Sequence, residues 1–166
     1  MGELRTIRAV TLEVKAHIQH WRGDRLLSEW YGGDYIGSRG LDLLANRIGT
    51  ADRGALAGTM RVRYLRASAL GTSTAAKGTP QGKGLGSVVY HGTAPFVKLS
   101  NKGSFTMNRS FSIGSTYAIR ESGLFVGTKK DALLRGTLYC RGTFPVRNVA
   151  SGDTITVNYT AGFISG

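Results

Sequence analysis

The sequence predicts a mainly β fold, an antiparallel β-sandwich or barrel-like domain with one short helix and a Gly/Ala/Thr-rich arm or loop. Three observations support this prediction. Apolar and polar residues alternate with a period of two in several short runs, turn signals return about every 8–12 residues, and glycine is frequent, at 24 of 166 residues with three prolines. A chain of this length buries roughly two-thirds of its unfolded surface, so we expect residues 1–166 to form a single domain.

The N-terminal part predicts a β-hairpin. In residues 10–18 every even position is apolar, which is typical of a strand with one buried face. Residues 22–25 supply the expected turn, and residues 26–31 the return strand. Trp21 and Trp30 flank this hairpin. We expect them to anchor it to the core, with an oligomer contact as the alternative.

One helix is predicted, over residues 38–48. The i, i+3, i+4, i+7 spacing of an apolar helical face is found at Leu41, Leu44, Ala45 and Ile48. Ser38 suits an N-cap, and Gly49 follows the last turn. Because so short a helix persists only when it is packed, we expect its leucine face to lie against a sheet.

A strand followed by a long loop is predicted next. Residues 60–66 alternate apolar and mostly cationic side chains, which favours a strand. Residues 67–86 are rich in Gly, Ala, Ser and Thr, and a structureless stretch of this length is usually functional or mobile in a compact domain. We expect it to be an extended loop or arm that reaches a neighbouring subunit.

The remaining sequence predicts strands in close succession. Three are expected in residues 87–90, 95–99 and 103–113, and five further strand-like runs in residues 117–122, 123–127, 132–140, 143–146 and 154–159. The last run alternates apolar residues with hydroxyl-bearing or amide residues, which predicts one apolar and one polar face. Arg109 is anomalous, because it shares a face with Met107 and Phe111. Either that face is an oligomer interface across which Arg109 is paired, or the strand bulges there.

The charge distribution predicts a polyanionic partner. The net charge is +12, and between Arg53 and Arg120 there are ten basic residues, both ends included, and no acidic one. Such a stretch creates a positive field over part of the surface, suited to an acidic protein surface first and to nucleic acid second; a merely solvated face is the alternative. The candidate partner-contact residues are Arg61, Arg63, Arg66, Lys77, Lys83, Lys98, Lys102 and Arg109.

The sequence offers no pattern typical of an enzyme, a cofactor site or a metal site. His17 and His20 are three apart on a predicted strand, so they point to opposite faces and cannot share a metal. The single cysteine, Cys140, lies in a strand-like run and is expected to be a small core residue. We therefore predict no catalytic, cofactor-binding or metal-binding residues. There is no long apolar run and no basic-then-apolar leader, so we expect neither export by a signal peptide nor a membrane span.

Several segments carry a family resemblance. Residues 121–125, Arg141, residues 144–146 and residues 152–159 read E-S-G-L-F, R-x-x-F-P-V and G-D-T-I-T-V-N-Y. This pattern is similar to the closing signature of small accessory virion proteins of tailed bacteriophages, of the head-decoration or tail-associated type. The Ala-Leu-Gly-Thr-Ser-Thr-Ala-Ala core of residues 65–85 also resembles those chains. Residues 24–45 resemble their opening, although residues 34–37 depart from it. The resemblance implies a structural role in the phage particle.

Three functions follow as hypotheses. The first is a virion structural protein made in the host cytoplasm, most simply an accessory decoration (cement) protein that binds the major capsid protein or other virion proteins, with a tail, neck or appendage position as the alternative. A homo-oligomer, with a trimer as the guess, fits this role because many weak contacts add up on a particle. The second is a nucleic-acid-binding β-barrel, in which aromatic residues stack bases and Lys or Arg holds phosphates. The third is a host-receptor or glycan-binding tip domain, which requires exposed Trp or Tyr residues in loops, for which Tyr31, Tyr35 and Tyr90 are the candidates.

Overall fold

The computed structural model describes ten β-strands. The residues it describes are 10–33, 35–36, 65–73, 85, 87–93, 96–99, 104–126 and 137–165. The strands are β1 (Val10–Arg22), β2 (Arg25–Gly33), β3 (Tyr35–Ile36), β4 (Leu65–Gly71), β5 (Val88–Thr93), β6 (Phe96–Leu99), β7 (Ser104–Ser112), β8 (Tyr117–Val126), β9 (Thr137–Val149) and β10 (Asp153–Ser165).

These strands form two antiparallel sheets of five strands each. The order in the first sheet is β2-β1-β10-β7-β6, and the order in the second sheet is β3-β9-β8-β4-β5. The prediction of a mainly β, antiparallel fold is confirmed. Within the ranges given above there is no helix, and the helix predicted over residues 38–48 lies outside them.

The predicted N-terminal hairpin is confirmed and its first strand is longer than expected. β1 pairs with β10 along its whole length, from Val10 opposite Ser165 to Arg22 opposite Asp153. The hairpin turns at Gly23, whose φ of +55° is readily adopted by glycine. The even-numbered residues of β1 from position 14 to 20 are buried, as their period of two predicts.

Side chains from both sheets form one core. Ile18 and Tyr159 of the first sheet and Leu124 of the second belong to it, and each is at most 1% exposed. Trp30 of β2 packs against this core, with its ring centroid 5.7 Å from that of Phe144 of β9. The two sheets therefore share one main apolar core, and a second, smaller cluster of buried residues contains Ala69, Phe125 and Leu138.

The second sheet corrects the predicted strand boundaries. The runs expected separately at 117–122 and 123–127 are one strand, β8, and the run at 143–146 belongs to β9 together with Cys140. The pairing of β8 with β9 has two register shifts, between Ile119 and Glu121 and between Leu124 and Phe125. These irregularities break the alternation along the sequence, although the backbone remains a strand. Cys140 is fully buried, as a core cysteine is expected to be.

The predicted arm also begins too early. Residues 67–71, assigned to the loop at 67–86, belong to β4, which pairs with β5 on one side and β8 on the other. Ser68, Ala69 and Leu70 are fully buried, so both faces of this strand are covered. Its small side chains allow close packing on both faces. The same residue types are frequent in loops, which is why the sequence predicted a loop here. Residues 74–84 lie outside the described part of the chain.

A buried ion pair joins β8, β9 and the ends of β4 and β5. Glu121 is fully buried, and its Oε2 accepts a hydrogen bond of 2.8 Å from Nε of Arg141. Its Oε1 accepts the backbone N–H groups of Ser73 (3.2 Å) and Ser87 (3.3 Å). In addition, Thr72 N donates to Ser87 O at 3.0 Å. The two ends of the segment between β4 and β5 are thus held together by one carboxylate.

A second buried carboxylate organises the turn into β10. Asp153 is 1% exposed, and Oδ2 accepts hydrogen bonds from His20 Nε2 (2.8 Å) and Ala150 N (3.0 Å). Arg22 Nε donates to Oδ1 at 2.7 Å. The preceding Gly152 has a φ of +91°, which disfavours any residue with a side chain. The predicted turn is confirmed, and Asp153 ties it to the end of β1.

Candidate functional site

The outer face of the first sheet is polar. On β10 this face carries Thr154, Thr156, Asn158 and Thr160, and on β7 it carries Thr106, Asn108, Ser110 and Ser112. Asn108 Nδ2 donates to Asn158 Oδ1, and the hydroxyls of Ser110 and Thr156 are 2.9 Å apart. The polar face predicted for the last strand is therefore confirmed, and it continues across two strands.

An aromatic stack lies beside this polar face. The rings of His17 on β1 and Tyr31 on β2 are stacked, with centroids 3.9 Å apart and an interplanar angle of 9°. Glu29 Oε2 accepts a hydrogen bond of 3.0 Å from His17 Nε2 and one of 3.3 Å from the Tyr31 hydroxyl. One carboxylate thus holds both rings in place from the same side.

Tyr31 is the most exposed of the large apolar or aromatic side chains in the described part of the chain, at 65%. The pKa of the Tyr31 phenol is raised above its ordinary value, first by partial desolvation and then by the charge of Glu29 and the hydrogen bond to it. The hydroxyl therefore stays protonated at neutral pH and donates to Glu29. A ring held in this way presents a fixed aromatic surface to solvent.

The stack borders a groove of about 580 Å³, here called the β1–β2 groove. It is lined by Glu13, Lys15, Ala16, His17, Tyr31, Gly32, Gly33, Asn158 and Thr160. Lys15 Nζ lies 2.9 Å from Glu13 Oε2, so the one cationic side chain in this lining is paired with a carboxylate. The volume lies in the range of small-molecule sites, about 300–1,000 Å³. The β1–β2 groove is the candidate functional site.

Of the eight sequence-predicted contact residues, the described part of the chain includes Arg66, Lys98 and Arg109. Arg66 belongs to β4 in the second sheet and Lys98 to β6 in the first. The members of the set that lie outside the described residues are Arg61, Arg63, Lys77, Lys83 and Lys102. Their role as partner contacts remains a prediction.

Arg109 is engaged within its own chain. It points between the sheets, where Nη1 donates to the backbone oxygen of Thr93 at 3.1 Å and Cζ lies 5.6 Å from the centroid of the Phe111 ring. A Cβ on Gly92 would meet the guanidinium at 2.7 Å, so this glycine makes room for it. β7 pairs with β10 without a register shift. The bulge offered for Arg109 is therefore wrong, and the face that Arg109 shares with Met107 and Phe111 lies in the core of the chain. A pairing of Arg109 across an oligomer interface stays a prediction.

The histidines lie as their spacing predicts. His20 is buried and bonded to Asp153, whereas His17 lies on the outer face. Among the described residues there is no cluster of three or more His, Cys, Asp or Glu side chains that could hold a metal ion. In the same residues, no helix has the length and apolarity needed to cross a membrane.

Sequence reasoning missed the β1–β2 groove. The signal was present in part, because Glu13, Lys15 and His17 alternate along the polar face of β1. The partner of His17 could not be read from a plain two-residue turn, since β2 pairs with β1 through a register shift between His20 and Trp21. That shift places Tyr31, and not Trp30, beside His17.

Comparisons of this chain with protein-family models, with curated proteins and with solved structures gave no match.

Proposed function

We propose that this chain is a structural protein of a tailed-bacteriophage virion, and that its two sheets close as a β-sandwich. Its position is on the head, as an accessory decoration (cement) protein bound to the assembled shell. The partners are the major capsid protein or other virion proteins, and the protein itself forms a homo-oligomer. The activity is structural and not enzymatic.

One observation carries this proposal. The charged residues in the phage-like sequence pattern, Glu121, Arg141 and Asp153, are all buried and hydrogen-bonded. Buried charges are costly unless they are paired, so each of them needs a specific fold around it. The pattern is therefore more than a chance run of strand-forming residues, which supports a fold shared with the virion proteins that the sequence resembles.

The excess of positive charge supports a partner with an acidic surface. The net charge is +12, and the acid-free stretch from Arg53 to Arg120 contains all eight predicted contact residues, of which Arg109 also makes a hydrogen bond within the chain. On a capsid lattice such weak ionic contacts are multiplied by the number of copies bound.

The test is to mix the purified protein with undecorated heads, with isolated tails and with DNA, each at low and physiological salt. Saturable, stoichiometric binding to heads at physiological salt is expected. Binding to tails alone would assign the protein to the tail, neck or an appendage. Binding to DNA alone, with the steep salt dependence of counterion release, would contradict the structural function.

Matched charge reversals sharpen this experiment. Lys77→Glu lies in the acid-free stretch and is expected to weaken head binding about two- to fivefold, the effect of losing one partly screened ion pair. Arg25→Glu, at the exposed hairpin end, is the control and should leave the affinity unchanged. Equal effects of the two reversals would indicate a general charge effect and would remove the support for a contact surface in that stretch.

A further inference from the structure

We propose that the β1–β2 groove binds a neutral saccharide, with one pyranose ring packed on Tyr31. This inference is independent of where the protein sits on a particle, because it concerns a site on the isolated chain. It is argued from the shape of the groove, its aromatic surface, its polar groups and its charge.

The sheet register explains the shape. Tyr31, His17 and Asn158 form one row across β2, β1 and β10. In the next row on the same face, Lys15 lies between Gly33 and Thr160. Because Gly33 has no side chain, the second row is open at its β2 end, beside Tyr31. The Tyr31 ring forms an aromatic wall at this end of the groove.

The wall has the properties of a sugar-stacking surface. One face of the Tyr31 ring lies against His17, so the exposed 65% of the residue belongs mainly to the other face and the ring edge. The electron-rich face of an aromatic ring attracts positively polarised groups, and the C–H groups on one side of a pyranose are such groups. Both Glu29 contacts hold the ring in position before any ligand arrives, which lowers the entropic cost of binding.

The groove also supplies both kinds of hydrogen-bonding group. Asn158 and Thr160 can each donate and accept, Lys15 donates, and Glu13 accepts. Sugar hydroxyls likewise donate and accept, so several of them can be satisfied together across these neighbouring rows. A few polar groups beside an apolar surface are the usual composition of a small-molecule site.

The local charge argues against a phosphorylated ligand or nucleic acid. The protein carries a net charge of +12, yet the ammonium group of Lys15 is paired with Glu13, and Glu29 adds a second carboxylate beside the stack. Phosphate sites need uncompensated cations or converging N–H groups. A neutral polyhydroxylated ligand fits this groove better than an anion does.

The experiment screens the intact protein against an array of neutral and anionic oligosaccharides, followed by NMR titration with the strongest neutral ligand. We expect a neutral glycan to bind and to shift the amide signals of His17, Tyr31, Asn158 and Thr160. Tyr31→Ala should weaken its binding by at least about tenfold, the equivalent of losing one good stacking contact. Tyr31→Phe keeps the ring and should stay within about threefold of the wild type.

Val146→Ala is the matched control, since Val146 is also an exposed apolar side chain, at 39%, but lies on the second sheet. It should bind like the wild type. Thermal melting of each variant verifies that it is folded. The proposal is overturned if no neutral glycan binds, if only anionic glycans bind, or if Tyr31→Ala binds as well as Val146→Ala. Sedimentation that shows a dimer dependent on Tyr31 would also overturn it, because a second copy would then occupy the groove.

Discussion

Asp153 shows how a single side chain can determine a local structure. Both of its carboxylate oxygens accept hydrogen bonds, from Arg22 on one side and from His20 and Ala150 on the other. The hydrogen bond from Arg22, followed by that from the Ala150 backbone and the one from His20, holds the pKa of the Asp153 carboxyl well below its ordinary value. The ionised form is therefore the one that stabilises the fold.

The sign of the pH dependence follows from this pKa. A carboxyl whose pKa is lower in the folded state than in the unfolded state contributes stability above its unfolded value of about 4, and this contribution is lost as the pH falls towards the folded value. Asp153→Asn presents an N–H₂ group to donors that need an acceptor. We expect it to lower the free energy of unfolding by at least about 2 kcal/mol at neutral pH. Denaturant titrations from about pH 2 to pH 7 measure the free energy of unfolding at each pH. In the acid range, here called the acid limb, this free energy should fall less steeply with decreasing pH for Asp153→Asn than for the wild type.

Asp24→Asn is the control for this prediction, because Asp24 lies exposed in the hairpin turn. It should change the free energy of unfolding by no more than about 0.5 kcal/mol. If the two variants lose stability with falling pH along the same curve as the wild type, the buried carboxylate of Asp153 does not contribute to the acid limb.

At the scale of strands, the sequence predicted regular elements well and irregular ones poorly. β1 and β10 were predicted because each has one buried face and a clear period of two. The bulge in the hairpin has no such signal. A two-residue turn without the extra residue at Leu27 would pair Ile18 with Glu29, whereas the shifted register pairs Ile18 with Trp30. One residue thus decides which side chains enter the core and which form the groove.

β4 was missed for a different reason. A period-two pattern arises when one face of a strand is exposed to solvent, whereas Ser68, Ala69 and Leu70 of β4 are all fully buried. Their small side chains allow close packing but give little hydrophobic contrast. The sequence assigned Arg109 to the correct face of β7. Only the structure could show that Gly92 leaves space for its guanidinium. In both cases the missing information was the neighbouring strand.

The contact between β8, β9 and the β4–β5 ends gives an element-scale prediction. Glu121→Gln leaves the buried Arg141 charge without its carboxylate, which typically costs about 3–5 kcal/mol. The Gln oxygen can still accept the N–H groups of Ser73 and Ser87. The double variant Glu121→Gln/Arg141→Met removes the charge as well, so it should recover much of the stability lost in the single variant. Urea unfolding measures both.

Glu13→Gln is the matched control for this pair of variants. Its ion pair with Lys15 is exposed, at 37% and 63% of the respective side chains, and such pairs contribute about 0–1 kcal/mol. A cost for Glu121→Gln as small as that of Glu13→Gln would contradict the role assigned to the buried pair. A double variant that is no more stable than Glu121→Gln would show that the Arg141 charge is not the source of the loss.

At the scale of the whole molecule, the chain crosses repeatedly between the sheets. β9 and β10 are consecutive in sequence but lie in different sheets, connected by the turn that Asp153 holds. The core is also common to both sheets, since Val157 of β10 and Leu124 of β8 belong to the same cluster. Because the two sheets share this connection and this core, neither sheet can bury its apolar face without the other.

We therefore expect the two sheets to unfold in one cooperative transition. The chain contains natural probes for each sheet, because its two tryptophans, Trp21 and Trp30, lie in the first sheet and its single cysteine, Cys140, is buried in the second. Tryptophan fluorescence and the reactivity of the Cys140 thiol should show the same denaturant midpoint.

Leu124→Ala, which makes a cavity in the core from the side of the second sheet, should cost about 2–5 kcal/mol and lower both midpoints together. Val146→Ala, exposed on the same sheet, should move neither by more than about 0.5 kcal/mol. If Leu124→Ala lowered the midpoint reported by the thiol but not the midpoint reported by tryptophan fluorescence, the two sheets would unfold independently. That result would contradict the shared core.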